Sequence, residues 1–286
     1  MKHVPLSTLN KVVAIACFAL AGSALAVPAP PVCPDTGVSQ LTTDLTAPGD
    51  TTTIGGSIFT AVDTNGSVGT GSFPSFYKVQ GNGCIQGYNT DGVRQFDTQA
   101  APLFTFLLNT TDVVTVGTTD YVEFHLDINQ DTNNPGLSLD NVEIFASTSD
   151  TLTGWTADCK LGGVDCLYNM DAGTNRALLM TYVLNKGSGN GYDMQLLLPV
   201  SVFAGLDAST NYVYLYSSFG AVGGASTEND GFEEWAYRRC PEGQTCWKTP
   251  EPDPNPAPEP GTLALIAIAM VGGALGERRR RTAKLA

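Results

Sequence analysis

An oxygen-rich segment near the middle of the chain has the composition of a metal-binding loop. In DINQDTNNPGLSLD, acidic and amide side chains alternate, and a further aspartate closes the segment. Calcium takes six to eight oxygen ligands from carboxylates, amides and carbonyls, and a loop with this spacing can supply several of them. The segment therefore predicts a calcium site whose ligands are Asp127, Asn129, Asp131, Asn133 and Asp140.

The segment departs from the EF-hand pattern at two positions. Thr132 stands where the turn glycine belongs, and Ser138 stands where the bidentate glutamate belongs. An alternative interpretation is a hairpin connection whose Asp and Asn side chains hydrogen-bond to their own turn.

Two other groups of residues could carry chemistry. Glu123, His125 and Asp127 alternate along one predicted strand face, where an imidazole could be polarised or a metal held. Further on, GFEEWAYRRC contains adjacent acids, but neighbours on a strand point to opposite faces and cannot form the facing carboxyl pair of a glycosidase. Trp235 and Tyr237 share a face, which suits either sugar stacking or core packing. No catalytic residue is assigned, and the chain is expected not to be an enzyme.

The elements that would position these residues are strands. YVEFHLDI alternates strictly, which predicts a strand with Val122, Phe124, Leu126 and Ile128 on a core face. Glu123, His125 and Asp127 are then expected to face solvent. Similar short segments lie at 103–108, 141–147, 177–185, 192–200 and 211–219, separated by clusters of turn-forming residues. This pattern predicts an all-β fold for residues 27–248, an antiparallel β-sandwich or jelly roll.

The cysteines indicate an oxidising compartment. Six of the seven lie in the segment 27–248, and an even number in an exported chain is what a disulfide framework needs. Six cysteines permit 15 pairings. Close spacing favours Cys159 with Cys166 and Cys240 with Cys246, which leaves Cys33 with Cys84.

Composition excludes some classes of partner. The formal net charge is −13, and residues 27–257 contain 26 acidic against 8 basic side chains. So acidic a body is not expected to bind nucleic acid or an anionic membrane surface.

The first 26 residues have the pattern of a signal peptide. Lys2 and Lys11 precede a short apolar run, and Ala24-Leu25-Ala26 supplies the small residues that signal peptidase requires, so cleavage is expected after Ala26. Lipoprotein processing at Cys17 is the alternative, but the apolar run continues past that cysteine.

The C-terminal end combines three features. Residues 249–260 form a proline-rich linker with proline at every second position, which favours an extended polyproline conformation. Residues 261–286 begin with 16 uncharged residues, a single hydrophobic helix of roughly 24 Å if helical. A basic cluster follows, and it would stay on the cytoplasmic side of the inner membrane and leave the body outside. A helix shorter than the hydrocarbon core of about 30 Å suits temporary retention in the membrane, and an ordinary single-span anchor is the alternative.

The order of these features resembles a known sorting signal. A Pro-Glu-Pro triplet, a short hydrophobic helix and a terminal arginine cluster are together similar to the PEP-CTERM signal of Gram-negative bacteria that make exopolysaccharide. The matching residues are Pro258, Glu259, Pro260, Arg278, Arg279, Arg280 and Arg281. The resemblance covers about the last 30 residues and implies recognition by exosortase, a membrane-embedded protease-transpeptidase, and then release or transfer to the cell surface or matrix.

The body also resembles passengers of that exported family. The similar segments are EFHLDINQDTNNPGLSLDNVEIF, YLYSSFG and NDGFEEWAY. The resemblance implies a β-sandwich surface protein with no assigned catalytic residues. We therefore expect a structural or binding protein of the cell surface or extracellular matrix, stabilised by calcium and associated with exopolysaccharide. A secreted hydrolase acting on polysaccharide is the alternative.

Overall fold

The structure is a computed structural model that describes residues 33–62, 75–101, 104–184 and 191–250. In these ranges every regular element longer than four residues is a β-strand, and there is no α-helix, so the prediction of an all-β fold is confirmed. The strands are β1 (Leu41–Asp44), β2 (Thr51–Ile54), β3 (Ser57–Ala61), β4 (Tyr77–Val79), β5 (Ile85–Tyr88), β6 (Phe106–Leu107), β7 (Val113–Val116), β8 (Thr119–Asp127), β9 (Gly136–Ser147), β10 (Trp155–Thr156), β11 (Lys160–Leu161), β12 (Val164–Asp165), β13 (Tyr168–Asn169), β14 (Arg176–Thr181), β15 (Met194–Pro199), β16 (Tyr212–Phe219) and β17 (Glu233–Tyr237). Short 3-10 turns occupy Leu108–Thr110, Tyr182–Leu184, Val200–Phe203 and Gly224–Ser226.

Seven of these strands form the first sheet. Its order is β1-β14-β9-β16-β5, with β13 also beside β9 and β6 beside β16. The pairs are antiparallel except at one edge, where β1 runs parallel to β14. The expectation of a purely antiparallel sheet is therefore wrong at this edge. More than a hundred residues separate the two strands, so no hairpin turn fixes their relative direction.

The second sheet also has seven strands and is antiparallel throughout. Its order is β2-β3-β15-β8-β17-β4, with β7 beside β8. The β2–β3 hairpin turns at Gly55 and Gly56, whose φ angles of 57° and 83° lie in the left-handed region. Two such residues make the tight turn that matches the twist of antiparallel strands.

Apolar side chains of both sheets belong to one buried cluster. Val122, Phe124 and Leu126 of β8 are fully buried in it, as the alternation in the sequence predicts. Leu139 and Ile144 of β9 belong to the same cluster from the first sheet. Burying each large apolar side chain contributes about 1.5 to 3 kcal/mol to folding, so this cluster is the main source of stability.

A third, small sheet lies on the other side of the first sheet. Its strands β10, β11 and β12 form a meander whose Leu161 packs in a second buried cluster with Tyr88, Phe145 and Tyr216. These aromatic residues come from β5, β9 and β16, at positions that alternate with core residues. We call this side of the first sheet its outer face.

Three disulfides tie the body together. Cys33 pairs with Cys84, Cys159 with Cys166 and Cys240 with Cys246, which confirms the pairing expected from the spacing. The first joins residues 51 positions apart, whereas the others close short loops of separation 7 and 6.

The predicted processing segments lie outside the described residues. These are the signal peptide with its cleavage site at Ala26, the Pro258-Glu259-Pro260 triplet, the hydrophobic helix and the arginine cluster 278–281. Within the described ranges no helix is long and apolar enough to cross a membrane.

Candidate functional site

Two of the five predicted calcium ligands, Asp127 and Asp140, lie in different sheets, and the other three lie in the loop between them. Asp127 ends β8 in the second sheet, whereas Asp140 lies within β9 of the first sheet. Between them, Asp131 Oδ1 accepts hydrogen bonds from the backbone N–H and the side-chain amide of Asn133, at 2.8 and 2.9 Å. The loop thus has the self-capping turn of the alternative interpretation.

The three carboxylates of the predicted set do not form a common site. In the described part of the chain, no three Asp, Glu, His or Cys side chains are grouped so that they could hold an ion between them. Calcium binding by the 127–133 loop stays a prediction. It would need backbone and amide oxygens in addition to Asp127 and Asp131.

A buried pair of carboxyls anchors this loop, and sequence reasoning did not predict the pair. Glu228 and Glu233 are 2% and 0% exposed, and the side-chain amide of Gln130 donates a hydrogen bond to each. Burial raises the pKa of both groups, and the hydrogen bond and charge of Glu228 raise the pKa of Glu233 further. Each acid of the pair thus opposes ionisation of the other, and burial keeps the pair from contact with a large substrate.

Trp235 and Tyr237 are core residues. They are 0% and 5% exposed and belong to the cluster shared by the two sheets. Tyr237 stacks on Phe106 with ring centroids 3.9 Å apart. The core-packing interpretation of these aromatic residues is the one the structure supports.

The expectation that Glu123, His125 and Asp127 face solvent is wrong for the two acids. Glu123 is 4% and Asp127 2% exposed. His125 stacks on Tyr192 with centroids 3.9 Å apart, and its Nε2 lies 2.8 Å from Glu123 Oε1. Arg238 contacts the other oxygen of Glu123 at 3.3 Å. Residues distant in sequence thus cover this face of the second sheet.

Glu123→Gln is expected to destabilise the fold at neutral pH. Burial raises the pKa of Glu123, but hydrogen bonds from His125 and Gln195 and the charge of Arg238 outweigh burial and bring the pKa to about 2. Since this pKa lies below the ordinary value of 4.5, the stabilisation is complete above pH 4.5 and is lost as the pH falls towards 2. After allowance for solvent screening, we expect a loss of about 1 to 2 kcal/mol at pH 7.

Urea denaturation at pH 7, 5, 4 and 3 measures this effect. The loss should shrink at the lowest pH. Glu234→Gln on the adjacent strand is the matched control, since its ion pair with Lys78 is long, at 3.8 Å, and the hydroxyl of Ser75 can still donate to the amide oxygen of the variant. An equal loss at pH 7 and pH 3 would mean that Glu123 acts through packing and not through its charge.

A polar cavity of about 250 Å³ lies against the outer face of the first sheet. Val142 and Ile144 of β9 point into the shared core. Their neighbours Asn141 and Glu143 therefore point to the outer face, where both line the cavity. Glu143 accepts hydrogen bonds from the indole N–H of Trp155 at 2.7 Å and from Asn141 Nδ2 at 3.1 Å.

A β-bulge lies beside the cavity. Ser218 of β16 pairs with Asn141, but the next residue pairs with Leu139, so Asp140 has no partner in the register. Such bulges re-aim side chains locally. Asp140 is fully buried, and its Oδ2 accepts a hydrogen bond from the backbone N–H of Ala221 at 2.6 Å.

Two further segments complete the cavity wall. Asp35 follows Cys33, whose disulfide partner Cys84 immediately precedes β5. Because β5 and β1 are opposite edges of the first sheet, the segment 33–40 must cross the sheet to enter β1. Asp171 reaches the cavity from the turn before β14, and its Oδ1 accepts the backbone N–H of Arg176 at 2.8 Å.

Four acidic side chains lie in or beside the cavity, where burial disfavours their ionised forms. Burial is the largest cause that raises the pKa of Asp140, Glu143 and Asp171, each to about 7, and burial also raises the pKa of Asp35. Hydrogen bonds oppose these increases, as does the charge of Arg176 at Asp171, while the charge of Asp35 raises the pKa of each of the other three acids further. Burial and mutual repulsion therefore favour a bound proton or cation in this group of acids.

Comparisons with protein-family models, curated proteins and solved structures gave no match. The functional interpretation therefore depends on the sequence and on the geometry of this chain.

Proposed function

We propose that this chain is an exported structural or binding protein of the cell surface or extracellular matrix, sorted by exosortase through its C-terminal tail. The observation that carries the proposal is the disulfide framework, which uses all six cysteines that follow the expected signal peptide. Such frameworks persist in oxidising compartments. In sequence, this framework lies between a signal-peptide pattern and a sorting-signal pattern.

The body itself is proposed to be a β-sandwich. Two seven-stranded sheets that contribute to one apolar cluster favour this architecture. At its C-terminal end, Lys248 donates hydrogen bonds to Asp120 and Thr115, both at 2.9 Å. This contact holds Lys248 against the body just before the proposed proline-rich linker 249–260. The linker would hold the body away from the inner membrane and towards exopolysaccharide.

A binding role is favoured over catalysis because two sets of candidate catalytic groups are buried or already in contact with other side chains. The Glu228–Glu233 pair is buried, and His125 contacts a glutamate and a tyrosine ring. A polysaccharide-acting hydrolase is the second candidate, because Glu143 and Asp171 line one cavity and have a pKa of about 7, suited to proton donation. Release of reducing sugar from exopolysaccharide, lost in Asp171→Asn, would favour the hydrolase.

Glu259→Ala is expected to leave full-length protein in the inner membrane. The change removes the acid of the Pro-Glu-Pro triplet next to the hydrophobic segment, where the resemblance places exosortase recognition. The measurement is immunoblotting of membrane, surface and medium fractions from an exosortase-containing host.

The chain provides a matched control for this experiment. Pro250-Glu251-Pro252 is an identical triplet that is not adjacent to the hydrophobic segment, so Glu251→Ala should be released like the unchanged protein. Normal release of the Glu259→Ala variant would contradict the proposed sorting.

A further inference from the structure

The cavity on the outer face of the first sheet leaves only oxygen atoms without partners. Asp35 Oδ2, Asn141 Oδ1 and Asn175 Oδ1 are buried atoms of its lining that have no hydrogen-bond partner among the described residues. Asp35 and Asn141 are themselves only 9% and 5% exposed. An unpaired buried acceptor costs about 1 to 3 kcal/mol, so three in one cavity indicate a ligand that satisfies them together.

The neighbouring carboxylates determine which way the two amides face. Asn141 Nδ2 donates to Glu143 Oε1 at 3.1 Å, and the Asn175 side chain hydrogen-bonds to Asp35. With a cation bound, the carboxyls are ionised and only accept hydrogen bonds, so each amide then turns its NH₂ group towards the acid. The remaining amide oxygens are therefore fixed as acceptors towards a ligand.

The charge of the cavity favours a cation over a neutral ligand. Of the described residues that line it, three are acidic and none is Lys, Arg or His. A sugar hydroxyl could donate to an acceptor, but it would add no positive charge to that of Arg176, which acts on Asp171. A divalent cation satisfies both the lone pairs and the charge.

We propose that a calcium ion binds in this cavity and links three segments of the chain. The expected ligands are oxygens of Asp35, Asn141, Glu143, Asp171 and Asn175. The ion would tie the crossing segment 33–40 to strand β9 and to the turn before β14. This site is separate from the 127–133 loop, and it does not depend on the sorting tail.

Calcium fits this set better than a smaller ion does. In the described part of the chain, no three acidic side chains are close enough to hold an ion by themselves. In this cavity, amide oxygens and water molecules must therefore complete the coordination. Calcium accepts six to eight oxygens in irregular geometry, whereas magnesium demands a near-ideal octahedron. A cavity of about 250 Å³ has room for the ion and several waters.

The decisive variant is Asp35→Asn. It preserves size and an oxygen for the Asn175 amide, while its NH₂ group can replace the Oδ2 atom that has no partner. Thermal unfolding is measured on the full-length chain, exported so that its disulfides form, first in EDTA and then in calcium. At 100 times its dissociation constant, calcium should raise the midpoint of the unchanged protein by roughly 5 to 10 °C.

Asp35→Asn should remove most of the calcium shift and weaken calcium affinity in calorimetry at least tenfold. In EDTA its midpoint should equal or exceed that of the unchanged protein, because one of the repelling charges is gone. A lower midpoint in EDTA with a retained calcium shift would show a purely structural role and overturn the proposal.

Asp131→Asn in the 127–133 loop is the matched control and should keep the calcium shift. Loss of the shift in this variant but not in Asp35→Asn would place calcium in the loop and overturn the cavity site. No shift in the unchanged protein, or an equal shift with sodium chloride at matched ionic strength, would also overturn it. The sodium control separates a bound ion from general screening.

Discussion

Removal of the Cys33–Cys84 disulfide is expected to lower the free energy of unfolding by about 4 kcal/mol. The bond joins residues 51 positions apart, so its loss frees a long loop in the unfolded chain. It also releases the segment that crosses the first sheet before β1. The measurement is urea denaturation of the Cys33→Ser/Cys84→Ser double variant under non-reducing conditions.

The Cys240–Cys246 disulfide provides the control. Its separation is 6, and the same loop-closure argument gives about 2 kcal/mol for its removal by Cys240→Ser/Cys246→Ser. The first double variant should therefore lose roughly twice as much stability as the second. Equal losses would show that loop closure is not the source of the stabilisation.

Local patterns in the sequence were sufficient to predict much of the fold. Strict alternation at 121–128 identified the core face of β8, because successive strand residues must point to opposite sides. The cysteine pairs followed from chain proximity alone. Alternation does not indicate what covers the other face, however. Glu123 was expected in solvent because the covering residues, Tyr192 and Arg238, come from distant segments.

The cavity could not be predicted for the same reason. Asp35, Glu143 and Asp171 belong to three separate segments, and each resembles an ordinary surface acid in the sequence. Asp140 is predicted as a ligand of the loop, but it lies at a β-bulge within β9 of the first sheet, where its carboxyl is affected by the charge of Asp35. The one available signal is the group of polar residues Asp140, Asn141 and Glu143 near the middle of a strand that contains six apolar side chains.

Trp235→Ala is expected to cost about 3 to 5 kcal/mol, since it leaves a large cavity between the sheets. Trp235 is fully buried in β17 of the second sheet, and its indole N–H donates to Ser217 Oγ in β16 of the first sheet at 3.2 Å. The side chain thus contributes apolar area to the shared core and a hydrogen bond between the sheets. Urea denaturation of the variant measures the loss.

Trp247→Ala is the control, because it also removes a tryptophan side chain, but one at the edge of the core. Trp247 is only partly buried, and its ring lies 6.0 Å from that of Phe203, so its loss should cost clearly less than that of Trp235. Trp235→Phe should fall between the two, because it keeps most of the apolar area but leaves Ser217 without its indole donor. Equal losses for Trp235→Ala and Trp247→Ala would contradict a single core shared by the two sheets. Losses that decrease from Trp235→Ala through Trp235→Phe to Trp247→Ala would instead show that the sheets depend on each other for stability.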